Sequence, residues 1–340
     1  MKSSLIRAFH RWTIGALLLA STIPASATFP GKNGRIAFIV GPDIFTMNPD
    51  GSEVKQLTNL GPDSGAFWES WSPDGKLIVF EYRPPDSPRQ IWLMNADGSN
   101  QHLLLAEADF DEERPSFSSD GSSVIFTRCR DHDTCALYQL EVDGSGLHAI
   151  TQLELGIQDF SAEYSFDGKL AFTGVGRNGI ICAIQLMNTQ GANLHRLTPA
   201  PLSARQPDWS PDGERIAFST HCSNPQNEEI WTVNASGQAL RRLTRNGDDY
   251  FSGPHDFHPS WSPQGDAIVF ERDTPDFSSS GIFIMRSDGS RCAKVFALGS
   301  SGHRNKMQLR RNQSVNSRAT RRLEQIEDGG ALPQWGPAAH

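Results

Sequence analysis

Beyond its first 27 residues this chain has no long apolar run and no segment with the 3.6-residue hydrophobic period of an amphipathic helix. A polytopic membrane protein, a coiled coil and a helical bundle are therefore excluded. There is no G-x-S-x-G elbow for a serine hydrolase, and no Cys-x-x-Cys pair for a thioredoxin-type or zinc site. Gly174 to Gly179 does match G-x-G-x-x-G, but it joins one strand-like run to another, so no helix N-terminus follows to hold a pyrophosphate. What the chain has in quantity is turn chemistry, with 30 glycines and 21 prolines in 340 residues and a formal net charge of −8. That balance describes a turn-rich all-β class.

The amino terminus is set apart from the fold. Lys2, Arg7 and Arg11 precede the apolar run Ile14 to Ala20, and Ala25-Ser26-Ala27 offers a small-x-small cleavage site, so residues 1–27 are expected to be a secretory signal. Its removal takes three positive charges and leaves an acidic, exported chain of the periplasm or cell exterior. In that setting Cys129 and Cys135, six residues apart across a polar turn, are expected to form a disulfide. Cys182, Cys222 and Cys292 are isolated and are expected to be small core residues or, for Cys182 with Cys222, a second pair.

A repeat decides the fold. Trp71-Ser72-Pro73-Asp74-Gly75 recurs at Phe117, Tyr164, Trp209 and Trp261, with the leading aromatics 46, 47, 45 and 52 residues apart. Each copy continues into an alternating run such as Arg215-Ile216-Ala217-Phe218, then a second run such as Ile91-Trp92-Leu93-Met94, then a second tight turn such as Asp97-Gly98. A short last run closes the unit, as in Arg241-Arg242-Leu243-Thr244. Each unit therefore predicts four antiparallel strands, A to D, whose sheet can cover both faces only by radial packing against its neighbours. The first unit, from Asn33, lacks strand A, and Pro333-Gln334-Trp335 is a strand A with nothing after it. These complete one another, giving an expected six-bladed β-propeller over residues 28–337, closed by a C-terminal strand.

The pattern P-x-W-S-P-D-G, I-A-F, I-W-x-x-N-x-x-G and R-R-L-T, clearest at Pro207 to Thr244, resembles the WD-like repeat of the TolB-like six-bladed propellers across nearly all of 29–337. The resemblance implies that fold and a binding or scaffold role in the cell envelope. An amino-terminal α/β domain of the kind TolB carries is not expected before the first repeat.

Because both tight turns of every unit fall on one face, the longer connections gather on the other, around the channel mouth, and binding residues are sought there. The candidates are Trp68, Glu69, Glu113, Arg114, Glu163, Arg205, Gln206, Asp256 and His258. No catalytic residue and no cofactor is assigned. His255 and His258, with His221 and Gln206 as further donors, form the candidate site for a metal such as calcium or manganese, and similarity to oligogalacturonate lyases makes a metal-dependent carbohydrate enzyme the alternative function. The interval from Trp261 to Trp335 exceeds a normal unit, and the surplus, residues 299–328, is expected to be a flexible insertion. Within it, residues 300–323 carry Arg304, Lys306, Arg310, Arg311, Arg318, Arg321 and Arg322 and no acid, a basic arm suited to an anionic surface. The function expected is that of a monomeric, non-enzymatic propeller that binds a protein or peptide partner in the envelope and no nucleic acid.

Overall fold

The turn between strands A and B is built by the residues that make the repeat visible. Ser72, Ser118, Ser165 and Ser210 each donate a hydroxyl bond to the aspartate two residues on, at 2.5 to 2.8 Å, and accept the amide that starts strand B. The following glycine takes a positive φ, 69° at Gly75, which a side chain would strain. In the last copy Gln264 replaces the aspartate, and Asp266 takes over as acceptor of Ser262 Oγ at 2.8 Å. The Leu-Thr of strand D is equally local in its work. Thr58, Thr151, Thr198 and Thr244 each accept, through Oγ1, one amide of their own strand C, from Ile44, Leu137, Ile184 and Ile230, at 2.9 to 3.0 Å.

The computed structural model describes residues 30–61, 63–131, 134–154, 157–165, 167–176, 182–220, 228–247, 253–298 and 332–339. The expected signal segment, the whole expected insertion at 299–328 with its basic arm at 300–323, His221 and Cys222 lie outside them. The first unit comprises β1 (Asn33–Val40), β2 (Asp43–Met47) and β3 (Lys55–Gln56). The second comprises β4 (Gly65–Trp71), β5 (Leu77–Arg83), β6 (Gln90–Asn95) and β7 (His102–Leu105), and the third β8 (Asp111–Phe117), β9 (Ser123–Asp131), β10 (Thr134–Glu141) and β11 (His148–Ala149). The fourth holds β12 (Gln158–Tyr164), β13 (Lys169–Val175), β14 (Cys182–Asn188) and β15 (His195–Arg196). The fifth holds β16 (Ala204–Trp209), β17 (Arg215–Thr220), β18 (Ile230–Asn234) and β19 (Arg241–Arg242). Last come β20 (His255–Trp261), β21 (Ala267–Asp273), β22 (Ser280–Arg286), β23 (Ala293–Leu298) and β24 (Gln334–Pro337).

Hydrogen bonding groups these strands into five sheets, not the six separate ones expected. Four are four-stranded, among them β24-β1-β2-β3, and one has eight strands. The larger sheet arises because β10 and β12 share one parallel bridge, Cys135 opposite Gln158, with the Cys135 amide donating to the Ile157 carbonyl at 3.3 Å. The tail strand closes the ring as the two incomplete units require: β24 pairs antiparallel with β1 and sets Trp335 opposite Ile36. The A strands touch in a cycle, β24 to β4, β4 to β8, β8 to β12, β12 to β16, β16 to β20 and β20 to β24. This is an all-β propeller. Among the described residues there is no α-helix, and no helix is long and apolar enough to cross a membrane.

The core lies between neighbouring sheets. The strand-B phenylalanines Phe38, Phe80, Phe126, Phe172, Phe218 and Phe270 are buried, as are the strand-A aromatics Trp209 and Trp261. Each such ring removes roughly 150–250 Å² from water, so this aromatic layer dominates the cohesion between sheets. Cys129 and Cys135, cross-strand neighbours in β9 and β10, are joined by a disulfide. Cys182 is also disulfide-bonded, and Cys292 is free and exposed.

Candidate functional site

The innermost strands carry a second repeat, written in backbone geometry. Trp68, Arg114, Ser161, Gln206 and His258 all adopt a left-handed φ of 51° to 55°, and Leu332, just before β24, takes 41°. None is glycine, so each holds a conformation worth roughly 1–3 kcal/mol of strain. Five of them sit at a β-bulge, where the pairing with strand B slips by a residue, for example between Phe67 and Ser70. A bulge re-aims the side chain it carries, and here all six residues line one hollow on the channel axis. Proline follows at 115, 207, 259 and 333, so no ladder N–H is forfeited there.

A bulged residue leaves its own amide without a ladder partner, and polar side chains from adjoining strands take up several of these amides. The Arg114 amide donates to Glu81 Oε2 at 3.2 Å, and the Gln206 amide to Thr173 Oγ1 at 3.0 Å. The His258 amide donates to Gln206 Oε1 at 3.4 Å, which Ser219 Oγ also holds at 2.6 Å. The side chains interlock across blades. The Arg114 guanidinium lies between the faces of Trp68 and Phe160, 4.7 and 4.6 Å from their centroids, and His258 meets the Trp68 ring edge-on at 5.3 Å.

Three polar groups on this hollow lack a hydrogen-bond partner. They are both carboxyl oxygens of Glu69, the Gln206 Nε2 and the Ser161 hydroxyl, on residues that are all buried. Buried polar atoms are nearly always bonded, so three orphans on one cavity mark a place where something polar can sit. Burial raises the Glu69 carboxyl well above the ordinary carboxylate range. Burial also lifts Glu163 to about 8, with the Asp208 carboxylate adding to the rise and the bond from Ser116 Oγ, at 2.5 Å, opposing it. The space is small, about 40 Å³ for the centres of water-sized spheres. At about 10–15 Å³ for each water on that measure, it admits about three waters or the tip of one side chain.

The curated relatives of this chain include the Tol-Pal system protein TolB of Francisella tularensis, 24% identical over 221 residues, or 64% of this chain and 48% of that one. The chain thus spans about half the length of the TolB proteins it matches. Among solved structures, TolB of Acinetobacter baumannii superimposes with a TM-score of 0.66 at 20% identity, over 89% of this chain and 67% of that one. The chain carries the TolB-type propeller fold. A weaker likeness, TM-score 0.50 at 13% identity over 80% of this chain and 74% of the other, is to an oligogalacturonate lyase in complex with manganese. No family model matches.

In this TolB-type propeller, six of the residues singled out in the sequence, Trp68, Glu69, Arg114, Glu163, Gln206 and His258, line the same hollow. Glu113, Arg205 and Asp256 do not. They belong to the strand segments just before the bulges and are spent on ion pairs: Glu113 with Arg89, Arg205 with Glu228 at 3.8 Å, and Asp256 with its cross-strand neighbour Arg272 at 2.6 and 2.8 Å. His255 and His258 part company for the same reason. His255 Nδ1 lies 2.8 Å from Glu228, with its ring stacked on Phe277, whereas His258 Nδ1 lies 3.4 Å from Glu271. Among the described residues no group of three or more histidine, cysteine or acidic side chains could hold a metal. Ser161, Leu332 and Gln334 line the hollow without having been singled out; Ser161 and Leu332 stand three residues before the strand-A aromatic, as Trp68, Arg114, Gln206 and His258 do, and that spacing is the signal that locates them.

Proposed function

We propose that the chain is an exported, non-enzymatic binding propeller of the cell envelope, which admits a segment of a protein or peptide partner into its central hollow. The eight-stranded sheet counts as two blades in this reading, and the ring as six. The single observation that carries the proposal is the ring of left-handed residues: one strained backbone position, repeated in every unit, bears a different side chain each time and points it at one cavity. Strain held at a repeated position, with chemistry varied on it, is the mark of a recognition surface on a rigid frame. The named role of TolB in the Tol-Pal system supports an envelope setting. The hollow's size favours a side chain over a sugar, and so favours this reading over that of a metal-dependent lyase.

The test is to pan a random peptide library against the mature chain and against Ser161→Trp. The same backbone conformation already carries a tryptophan at position 68, so the variant obstructs the hollow and adds no backbone strain. Peptides that hold to the wild type and are lost on Ser161→Trp are expected. Equal capture by both proteins would overturn the proposal. Loss of a stoichiometric metal together with thermal stability on chelation would move the reading to the lyase-like alternative, with His255 and His258 as its first suspects.

A further inference from the structure

Resting on that reading, we infer that the hollow is an ammonium socket: it receives a lysine side chain, or the amino terminus, of the partner, with Glu69 and Glu163 as acceptors. The geometry narrows the ligand in three ways. First, the space accommodates one small polar head on a methylene stem and little more. Second, both oxygens of Glu69 are buried and unbonded, the Ser161 hydroxyl is a second open acceptor, and an ammonium brings three donors to satisfy such groups. Third, the surroundings are acidic. Glu163 lies near Asp208 from β16 and accepts from Ser116 of β8; it shares the lining of the hollow with Glu69 from β4, Arg114 from β8 and His258 from β20, and the tail adds the uncharged Leu332 and, from β24, Gln334. Behind them Glu81 and Glu271 are fully buried: Glu81 accepts from the Arg114 amide and is paired with Arg83 at 2.7 Å, which offsets its charge, and Glu271 lies beside His258. An anionic head gains no ion pair from these acids, whether protonated or ionised, and the Arg114 guanidinium that could answer it already lies between two aromatic faces and near Glu113 at 3.9 Å.

Entry of a cation has a proton consequence. Burial lifts the Glu163 carboxyl to about 8, so in the empty hollow it is largely protonated at neutral pH, and burial raises the Glu69 carboxyl as well. An ammonium stays protonated to about pH 10, so seating it displaces the proton from Glu163 and replaces a neutral acid by an ion pair. Affinity therefore rises close to tenfold per pH unit between about pH 6 and 7.5 and levels off above about pH 8.

The experiment is saturation-transfer NMR on the mature chain with Nα-acetyl-lysine methylamide as probe, and with its norleucine counterpart, propionate and calcium chloride as comparison arms. Binding of the lysine probe alone, strengthening with pH as stated and weakened at least tenfold in Glu163→Gln and in Glu69→Gln, is the expected result. A denaturation curve for each variant confirms that it is folded. Preference for propionate, or affinity that falls as pH rises, overturns the ammonium assignment in favour of an anion. Calcium alone binding and competing with the probe overturns it in favour of a metal. The peptide library separates this inference from the reading it rests on. Hollow-dependent peptides that bind equally well with lysine replaced by norleucine and the amino terminus acetylated would end the ammonium socket and leave the binding propeller standing, whereas no hollow-dependent peptide would end both.

Discussion

The tight-turn face and the channel ring are built from the same repeat and use it in opposite ways. At the turns, serine, aspartate, glycine and threonine recur because each copy must make the same hydrogen bonds. Where one residue drifts, another in reach replaces it, as Asp266 does for the missing aspartate at Gln264. On the channel ring the backbone recurs and the side chains do not: tryptophan, arginine, serine, glutamine, histidine and leucine occupy one left-handed position in turn. Invariance in the first region specifies the fold, and variety on a fixed backbone in the second is what the proposed recognition rests on.

That contrast can be broken by substitution, and the largest effect should come from the packing that joins the two regions. Trp209 is fully buried between sheets and donates its indole N–H to the Glu163 carbonyl at 3.2 Å. Trp209→Ala is expected to cost about 3–5 kcal/mol in urea unfolding. The Leu-Thr clamp comes next. Thr244→Val orphans the buried Ile230 amide and should cost about 1–3 kcal/mol, with a similar value at Thr198 because the bond there is the same. Unequal costs at the two sites would mean that the repeats are not energetically equivalent.

Smaller still is the turn with the displaced acid. Asp266→Ala should lose about 1 kcal/mol, and Gln264→Asp in the same chain should restore most of it by rebuilding the bond found in the other four turns. Failure of the rescue would show that Asp266 has a further role. The channel should respond least in stability and most in its dependence on pH. Glu163 holds its proton up to about pH 8 in the fold, against an ordinary value of 4.5. The fold thus binds the extra proton between those values, and its contribution is complete below about pH 4.5 and lost as pH rises through about 8. Glu163→Gln has no such loss. Its melting temperature relative to wild type is expected to climb from pH 5 to pH 8.5, and a flat difference would place the carboxyl in water.

Sequence reasoning read the fold and the site to different depths for a physical reason. The Trp-Ser-Pro-Asp-Gly turns and the Leu-Thr clamps are local, so their residues stand within a few positions of one another, and the spacing of Trp71, Phe117, Tyr164, Trp209 and Trp261 exposed the units directly. Closure by Trp335 beside Ile36 followed from the two incomplete ends. The parallel bridge between Cys135 and Gln158 had no sequence mark, because one backbone bond between neighbouring units demands no particular side chain. At the channel, the longer connections between units were the guide, and of the residues taken from them Trp68, Glu69, Arg114, Glu163, Gln206 and His258 line the hollow while Glu113, Arg205 and Asp256 do not. The direction in which each strand residue points depends on the bulge, and the bulge is a left-handed φ at an ordinary residue, which no residue type announces.

The central claim is that recognition belongs to the ring and folding to the turns, and site-specific photocrosslinking tests it most directly. A photoreactive phenylalanine analogue is placed at Gln206 on the hollow, or at the exposed Leu103 on the outer strand β7, and irradiated with a peptide selected on the wild-type chain. The account predicts a covalent adduct from position 206 and none from 103. An adduct from 103 alone would contradict it.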